Sequence, residues 1–208
     1  MIERSDLSLP VYELLKKMIL SEELKPGEKL LQEKLALRLG VSRTPLLKAL
    51  QMLEYDFLVE SIPRRGMFVR KLNIREMIDI YDVREGIESV AARLCAERIT
   101  EEQLRVLSSI WEPFLVMDPI NEHDYREADE KFHALLLEFS QNLVLKKTYS
   151  LAFLQARVLQ LGLMRPPAET LPEHIELIAA LRNRDIPAAE KAIRKHINKS
   201  KESIFQKF

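Results

Sequence analysis

From Leu31 to Phe57 the chain reads LQEKLALRLGVSRTPLLKALQMLEYDF, a helical pattern broken once, at Gly40. That single break constrains the fold more than any other feature. LQEKLALRLG gives a short helix that glycine stops, and SRTPLLKALQMLEYDF gives a second, with Ser42 at its N-cap and Pro45 in its first turn. Upstream, VYELLKKMIL is an amphipathic helix ended by the Pro-Gly of LKPGEKL. Downstream, FLVES and MFVRKL alternate as strands around PRRG, a tight basic hairpin. Three helices followed by a β-hairpin make a winged helix-turn-helix. In that module the second helix of the pair enters the major groove of DNA, and the wing lies along phosphates or reaches the minor groove.

The charge distribution suits this reading. Net charge is zero, which argues against indiscriminate nucleic-acid binding. Between Lys29 and Lys71, however, nine basic residues stand against four acidic ones. The basic tail from Lys191 to Phe208 reads instead as an ordinary solvated face. With 208 residues, 47% of them hydrophobic, the chain can build one large or two small cores. Few strand-like alternations point to a mainly helical protein. The one cysteine, Cys95, sits in the apolar run SVAARLCAERI, so it reads as a buried hydrophobe, and no disulfide can form within the chain. The N-terminal MIERSDLSLP lacks an apolar run and no stretch of 18 apolar residues occurs, so a cytoplasmic protein without a membrane partner is expected.

Beyond residue 72 the pattern is helical throughout. NIREMIDIYDVREGIESVAARLCAERI is a long amphipathic run, and TEEQ at 100 to 103 is a capping box opening the next helix, which Pro113 should kink or end. NEHDYREADEKFHALLLEFS, LVLKKTYSLAFLQARVLQLGLM and the hairpin PEHIELIAALRNRDIPAAEKAIRKHIN complete the set. The expected fold is mainly α: a winged helix-turn-helix with a small β-wing over residues 1–71, then an antiparallel all-α bundle of about six helices over 72–208.

That last hairpin carries two of the four histidines. His174 and His196 each lie eleven residues from Asp185, so at about 1.5 Å of rise per residue both imidazoles stand at one level. Asp129 and His133, in DEKFH, share a helix face at i and i+4. One carboxylate and three imidazoles suit Zn²⁺ first, with Ni²⁺, Mn²⁺ or Fe²⁺ also fitting, and leave coordination positions for a small acid. The same spacings suit surface histidines and an exposed Asp–His pair. His123, near the turn at Pro119, reads as surface.

LKPGEKLLQEKLALRLGVSRTPLLKALQMLEYDFLVESIPRRGMFV resembles the DNA-binding domain of the GntR family of bacterial transcription regulators, in the order of its PG, LGVSRTP, AL and RGxFV elements over residues 9 to 70. The resemblance implies base and phosphate contacts from Ser42, Arg43 and Thr44, with Arg65 and Gly66 in the wing. Where the family commonly has SRTPVREAL this chain has SRTPLLKAL, so Leu47 and Lys48 replace an arginine and a glutamate. Lys48 restores part of the charge, but an ammonium cannot reproduce a bidentate arginine contact to guanine.

DxxFH, EHxxI and AxxAIRKHI, in that order, are similar to the FCD ligand-binding domain of the FadR subfamily within GntR. The resemblance implies a divalent metal held by Asp129, His133, His174 and His196, with a carboxylate effector completing the shell. Arg84, in DVREGIE, matches an arginine that binds the effector carboxylate in similar domains, although an exposed ion pair with Glu88 at i+4 competes with that role. Arg157, in LQARVLQ, is a second candidate of the same kind. Together these imply a non-enzymatic, metal-containing, small-carboxylate-responsive regulator, a repressor by family habit, that binds a palindromic operator on double-stranded DNA as a homodimer. A helical metalloenzyme and a metal sensor without an organic effector are the alternatives.

Overall fold

The computed structural model describes residues 7–149 and 163–207. Within them the chain forms two compact units that divide between Leu72 and Asn73.

The N-terminal unit begins with α1 (Ser8–Leu20). A two-residue strand β1 (Lys29–Leu30) leads into α2 (Gln32–Leu39) and α3 (Arg43–Tyr55). Gly40 ends α2 at φ +63°, in the left-handed region that any residue with a Cβ enters at a cost. Ser42 stands at the N-cap of α3 in extended conformation, but its side chain makes no capping hydrogen bond. α3 turns Leu46, Ala49, Leu50 and Leu53 inward, all fully buried, and packs on α1 through a core that includes Leu15 and Ile19. The spacing i, i+3, i+4, i+7 is why the opposite face of α3 is left to solvent.

The wing is β2 (Val59–Ile62) paired antiparallel with β3 (Gly66–Val69), in the register Val59↔Val69 to Ile62↔Gly66. β2 starts later than the alternation suggests, because Phe57 takes a left-handed φ of 58° at the end of the turn after α3. β1 adds a third strand on the other edge of β3, giving the order β1-β3-β2.

The C-terminal unit is helical among the described residues. It comprises α4 (Ile74–Arg98), α5 (Glu101–Ser109), α6 (Glu122–Phe139), the helical residues 143–149 (α7), α8 (Pro167–Arg182) and α9 (Ile186–Lys207). Thr100 and Gln103 form the capping box read from TEEQ, and Asn73 with Glu76 forms another at the start of α4. α5 stops before Pro113, which sits instead in the first turn of a short 3-10 helix (Glu112–Leu115), where its missing N–H costs nothing. α8 reaches back past Pro172 to Pro167, five residues earlier than the hairpin pattern suggests.

α4 packs along α9 and against α6 and α8, and α8 and α9 pack as the arms of the hairpin. Trp111, Tyr125, Phe132 and Leu136 fill the interior beside them, all fully buried. Cys95 is buried as expected, and burial pushes its thiol up to about 12. No helix among the described residues is long and apolar enough to cross a membrane.

Candidate metal centre and nucleic-acid interface

Asp129 and His133 come from α6, His174 from α8 and His196 from α9. Each offers one ligand atom to a cluster in which these atoms lie within 4.8 Å of one another. Donors sharing an ion at bonds of about 2.0 to 2.2 Å stand no more than about 4.4 Å apart, so small side-chain movements suffice to close the shell. The ring centroids of His174 and His196 are 4.6 Å apart, and that of His133 is 5.6 Å and 5.3 Å from them. Asp129 Oδ1 lies 3.2 Å from His174 Nε2 and 3.7 Å from His133 Nε2. The three imidazoles are buried, whereas Asp129 is partly open.

Two observations bear on whether this cluster fits a cation. First, His133 Nε2 and His174 Nε2 are buried and make no well-formed hydrogen bond among the described residues, their near neighbour being the Asp129 carboxylate that would share the ion with them. Second, the Nδ1 atoms of all three rings are engaged on the far side. His133 Nδ1 donates to Glu88 Oε2, His174 Nδ1 pairs with the Tyr125 hydroxyl at 3.2 Å, and His196 Nδ1 pairs with Glu173 Oε2 at 2.9 Å. A carboxylate only accepts, so Glu88 and Glu173 hold the Nδ1 atoms of His133 and His196 as donors and leave Nε2 as the nitrogen that can bind an ion once deprotonated, whereas the Tyr125 hydroxyl can take either role toward His174. Three nitrogens and one carboxylate oxygen are a suitable donor set for a borderline divalent ion.

The electrostatics follow from burial among charges. Burial alone would raise Asp129, but the adjoining His133 and His174 hold its carboxyl well below the usual range. Burial would likewise lower His133, but Glu88 and Asp129 outweigh it and lift the imidazole to about 9. His174 is pressed to about 3, first by burial and then by the charge of His196, and His196 is lowered by burial against the pull of Glu173. Glu88 is held at about 2, because His133 and Arg84 overcome the burial that would raise it.

Arg84 does pair with Glu88, as the i, i+4 spacing allows. The pair is buried rather than exposed, with Nε donating to Glu88 Oε1 at 2.9 Å and the guanidinium over the rings of Tyr81 and Tyr149 at 5.0 and 5.9 Å. Through Glu88, Arg84 is one residue removed from His133. Arg157 lies outside the described residues. His123 is exposed on the first turn of α6.

Sequence reading passed over several residues in this site. Glu173 is clamped by Arg165 through Nη1 at 3.1 Å and through Nη2, and by Lys199 at 2.7 Å. Trp111 stacks on His174, centroids 4.1 Å apart and planes at 9°. Two local signals were present: Glu88 follows Arg84 by a helical turn, and Glu173 adjoins His174.

In the N-terminal unit Ser42, Arg43, Thr44 and Lys48 are exposed at the start and along the outer face of α3. Arg43 Nη2 makes a long contact of 3.5 Å with Gln32 Oε1. Leu47 is half-buried between them. In the wing, Arg64 and Arg65 are exposed in the turn, Gly66 has φ +102°, and Arg65 stacks over Phe68 at 5.6 Å. The wing and α3 thus present exposed cationic side chains, Arg43 and Lys48 on the helix and Arg64 and Arg65 in the turn.

Comparison with known proteins finds two family matches along the chain. Residues 7–69 match the family of bacterial regulatory proteins called gntR, and residues 79–199 match the FCD domain. The chain is 28% identical to the HTH-type transcriptional repressor RspR of Escherichia coli K12, over 94% of this chain and 88% of that one. It is 30% identical to an HTH-type transcriptional regulator of Streptomyces ambofaciens, over 90% and 80%. Its fold matches that of E. coli McbR/YncC at a TM-score of 0.75, with 23% identity and coverage of 100% and 99%. A GntR regulator from Rhodococcus sp. RHA1 matches at 0.77, with 21% identity over 97% and 98%. These relatives are regulators rather than enzymes, so the metalloenzyme alternative falls away. The chain belongs to the GntR family of bacterial transcription regulators, as a DNA-binding member with an FCD domain.

Proposed function

We propose that this regulator holds one divalent ion on Asp129, His133, His174 and His196, and that a small carboxylic acid binding there changes its grip on DNA. The observation that carries the reading is the gathering of the buried Nε2 atoms of His133 and His174, which make no well-formed hydrogen bond, around one Asp129 oxygen at 3.7 and 3.2 Å, while their Nδ1 atoms are engaged by Glu88 and Tyr125. A bound ion would offer a Lewis-acidic position for one carboxylate oxygen. Arg84, one residue behind His133, would pair with the acid's charge.

On the DNA side, Ser42, Arg43, Thr44 and Lys48 would meet bases and phosphates in the major groove, while Arg65 and Gly66 bring the wing onto the backbone. The uncapped N-terminus of α3 and the exposed Arg43 support this placement. Two copies on a two-fold axis would read a palindromic operator. Repression is favoured because the relatives RspR and GlaR are named repressors.

A screen of small carboxylic acids for thermal stabilisation, run with and without chelator, tests the proposal. One or a few acids should stabilise the metal-loaded protein, and chelator should abolish the effect. If no acid acts and chelator alone changes DNA binding, the ion itself is the signal.

A further inference from the structure

The three imidazoles of the cluster are not backed alike. His133 on α6 rests on Glu88 of α4, and His196 on α9 rests on Glu173 of α8. Each glutamate is buried and is held by a buried arginine, Arg84 for Glu88 and Arg165 for Glu173. Arg165 also donates to the His196 carbonyl at 3.3 Å and to Ser200 Oγ at 3.3 Å, which fixes the backbone of the same ligand. Two Arg–Glu–His chains therefore converge on the cluster, one running from α4 to α6 and the other reaching α9 through α8. His174 differs. Its Nδ1 meets the neutral hydroxyl of Tyr125, which is within 2.8 Å of Thr170 Oγ1, and its ring lies flat on Trp111.

The difference has a physical consequence. A hydrogen bond from an imidazole N–H to a carboxylate is roughly twice as strong as one to a neutral oxygen. It orients the ring more firmly and makes the far nitrogen a better donor. Aromatic stacking fixes the plane of His174 but adds nothing to the donor strength of its Nε2. Resting on the ion site proposed above, we infer that Glu88 and Glu173 are positioning residues for that ion, and that they make His133 and His196 its two strongly held imidazoles and His174 the weaker third. An arriving acid would compete for the ion most easily at the His174 position.

The test uses Co²⁺ alone, read by its absorption bands and by competition with a chromophoric chelator. Removing one glutamate strands a buried arginine, so each pair is neutralised together, as Arg84→Met/Glu88→Gln and Arg165→Met/Glu173→Gln. Replacing a buried pair by uncharged groups of similar size is often tolerated, and metal-free melting checks that the fold is kept. Both double variants should bind Co²⁺ about 10- to 100-fold more weakly, the usual loss for an outer-shell partner, with altered absorption bands. Tyr125→Phe should weaken binding less than either. Glu88→Asp and Glu173→Asp, which keep the charge but withdraw it by one methylene, stand in if a double variant fails to fold, and they too should lose more affinity than Tyr125→Phe. Wild-type affinity and spectrum in the glutamate variants would overturn the inference, as would a Tyr125→Phe loss equal to theirs, while leaving the ion site standing. Wild-type protein that takes up no Co²⁺ would overturn both.

Discussion

The imidazoles of His174 and His196 stand 4.6 Å apart, on opposite arms of a hairpin that turns at Asp185. Equal helical climb and descent bring them level, and α6 delivers Asp129 and His133 to the same point. If one ion binds there, ligand energy becomes folding energy. Adding Zn²⁺ at 100 times its Kd should stabilise wild type by about 2.7 kcal/mol. His174→Ala and His196→Ala should lose metal content and that stabilisation together. Elemental analysis showing full occupancy in His196→Ala would contradict the shell.

Proton release offers an independent check. Glu88 and Asp129 hold His133 up to about 9, so at pH 7 a cation must displace a proton from the ring. Binding should release about one proton per ion, and affinity should rise with pH, about tenfold per unit, until it levels above pH 9. Calorimetry in two buffers of different ionisation enthalpy measures this. Heats identical in both buffers would mean that His133 carries no proton to lose.

For DNA, Arg43 opens the recognition helix with an exposed guanidinium. Arg43→Ala should cost about 1 to 3 kcal/mol of operator affinity and relax base preference, whereas Lys29→Ala should act weakly. Lys29 is on β1, with its side chain along the wing beside Phe68 and Gly66, where a phosphate contact would act alike on all sequences. Salt-matched titrations against operator selected from random DNA decide it, and equal binding by Arg43→Ala and wild type would remove Arg43 from the interface.

Arg84→Ala tests the proposed contact with the acid. It takes no ligand from the ion and leaves the winged unit untouched, but it strands the buried Glu88 behind His133, so it is read at saturating metal with metal content checked first, and operator binding should persist. Response to the acid should weaken by about 1.5 to 3 kcal/mol, roughly ten- to a hundredfold or more in effective concentration. A wild-type dose response would make Arg84 a purely structural partner of Glu88.

What the sequence made legible was local. Gly40, Ser42, the Thr100–Gln103 box and the i, i+4 pair of Asp129 and His133 are each set within a few residues, and the hairpin needed only a count on either side of Asp185. What it hid was brought together by tertiary packing. β1 is two residues long and exists because β3 lies beside it. Glu88 meets His133 from 45 residues away and Glu173 meets His196 from 23, and neither spacing marks a glutamate as buried. The extension of α8 past Pro172 also runs against the local signal.

The central claim is that an ion on these four side chains makes the response of a DNA-binding protein to an acid possible. The most direct measurement is operator affinity by fluorescence anisotropy, with and without the acid found by thermal screening, for metal-loaded wild type, chelated wild type and His196→Ala. The acid should shift the operator Kd of metal-loaded wild type by about 5- to 150-fold, the usual range for coupled sites, and should leave the other two unmoved. An equal shift in all three would show that the acid acts without the ion, and would contradict the account.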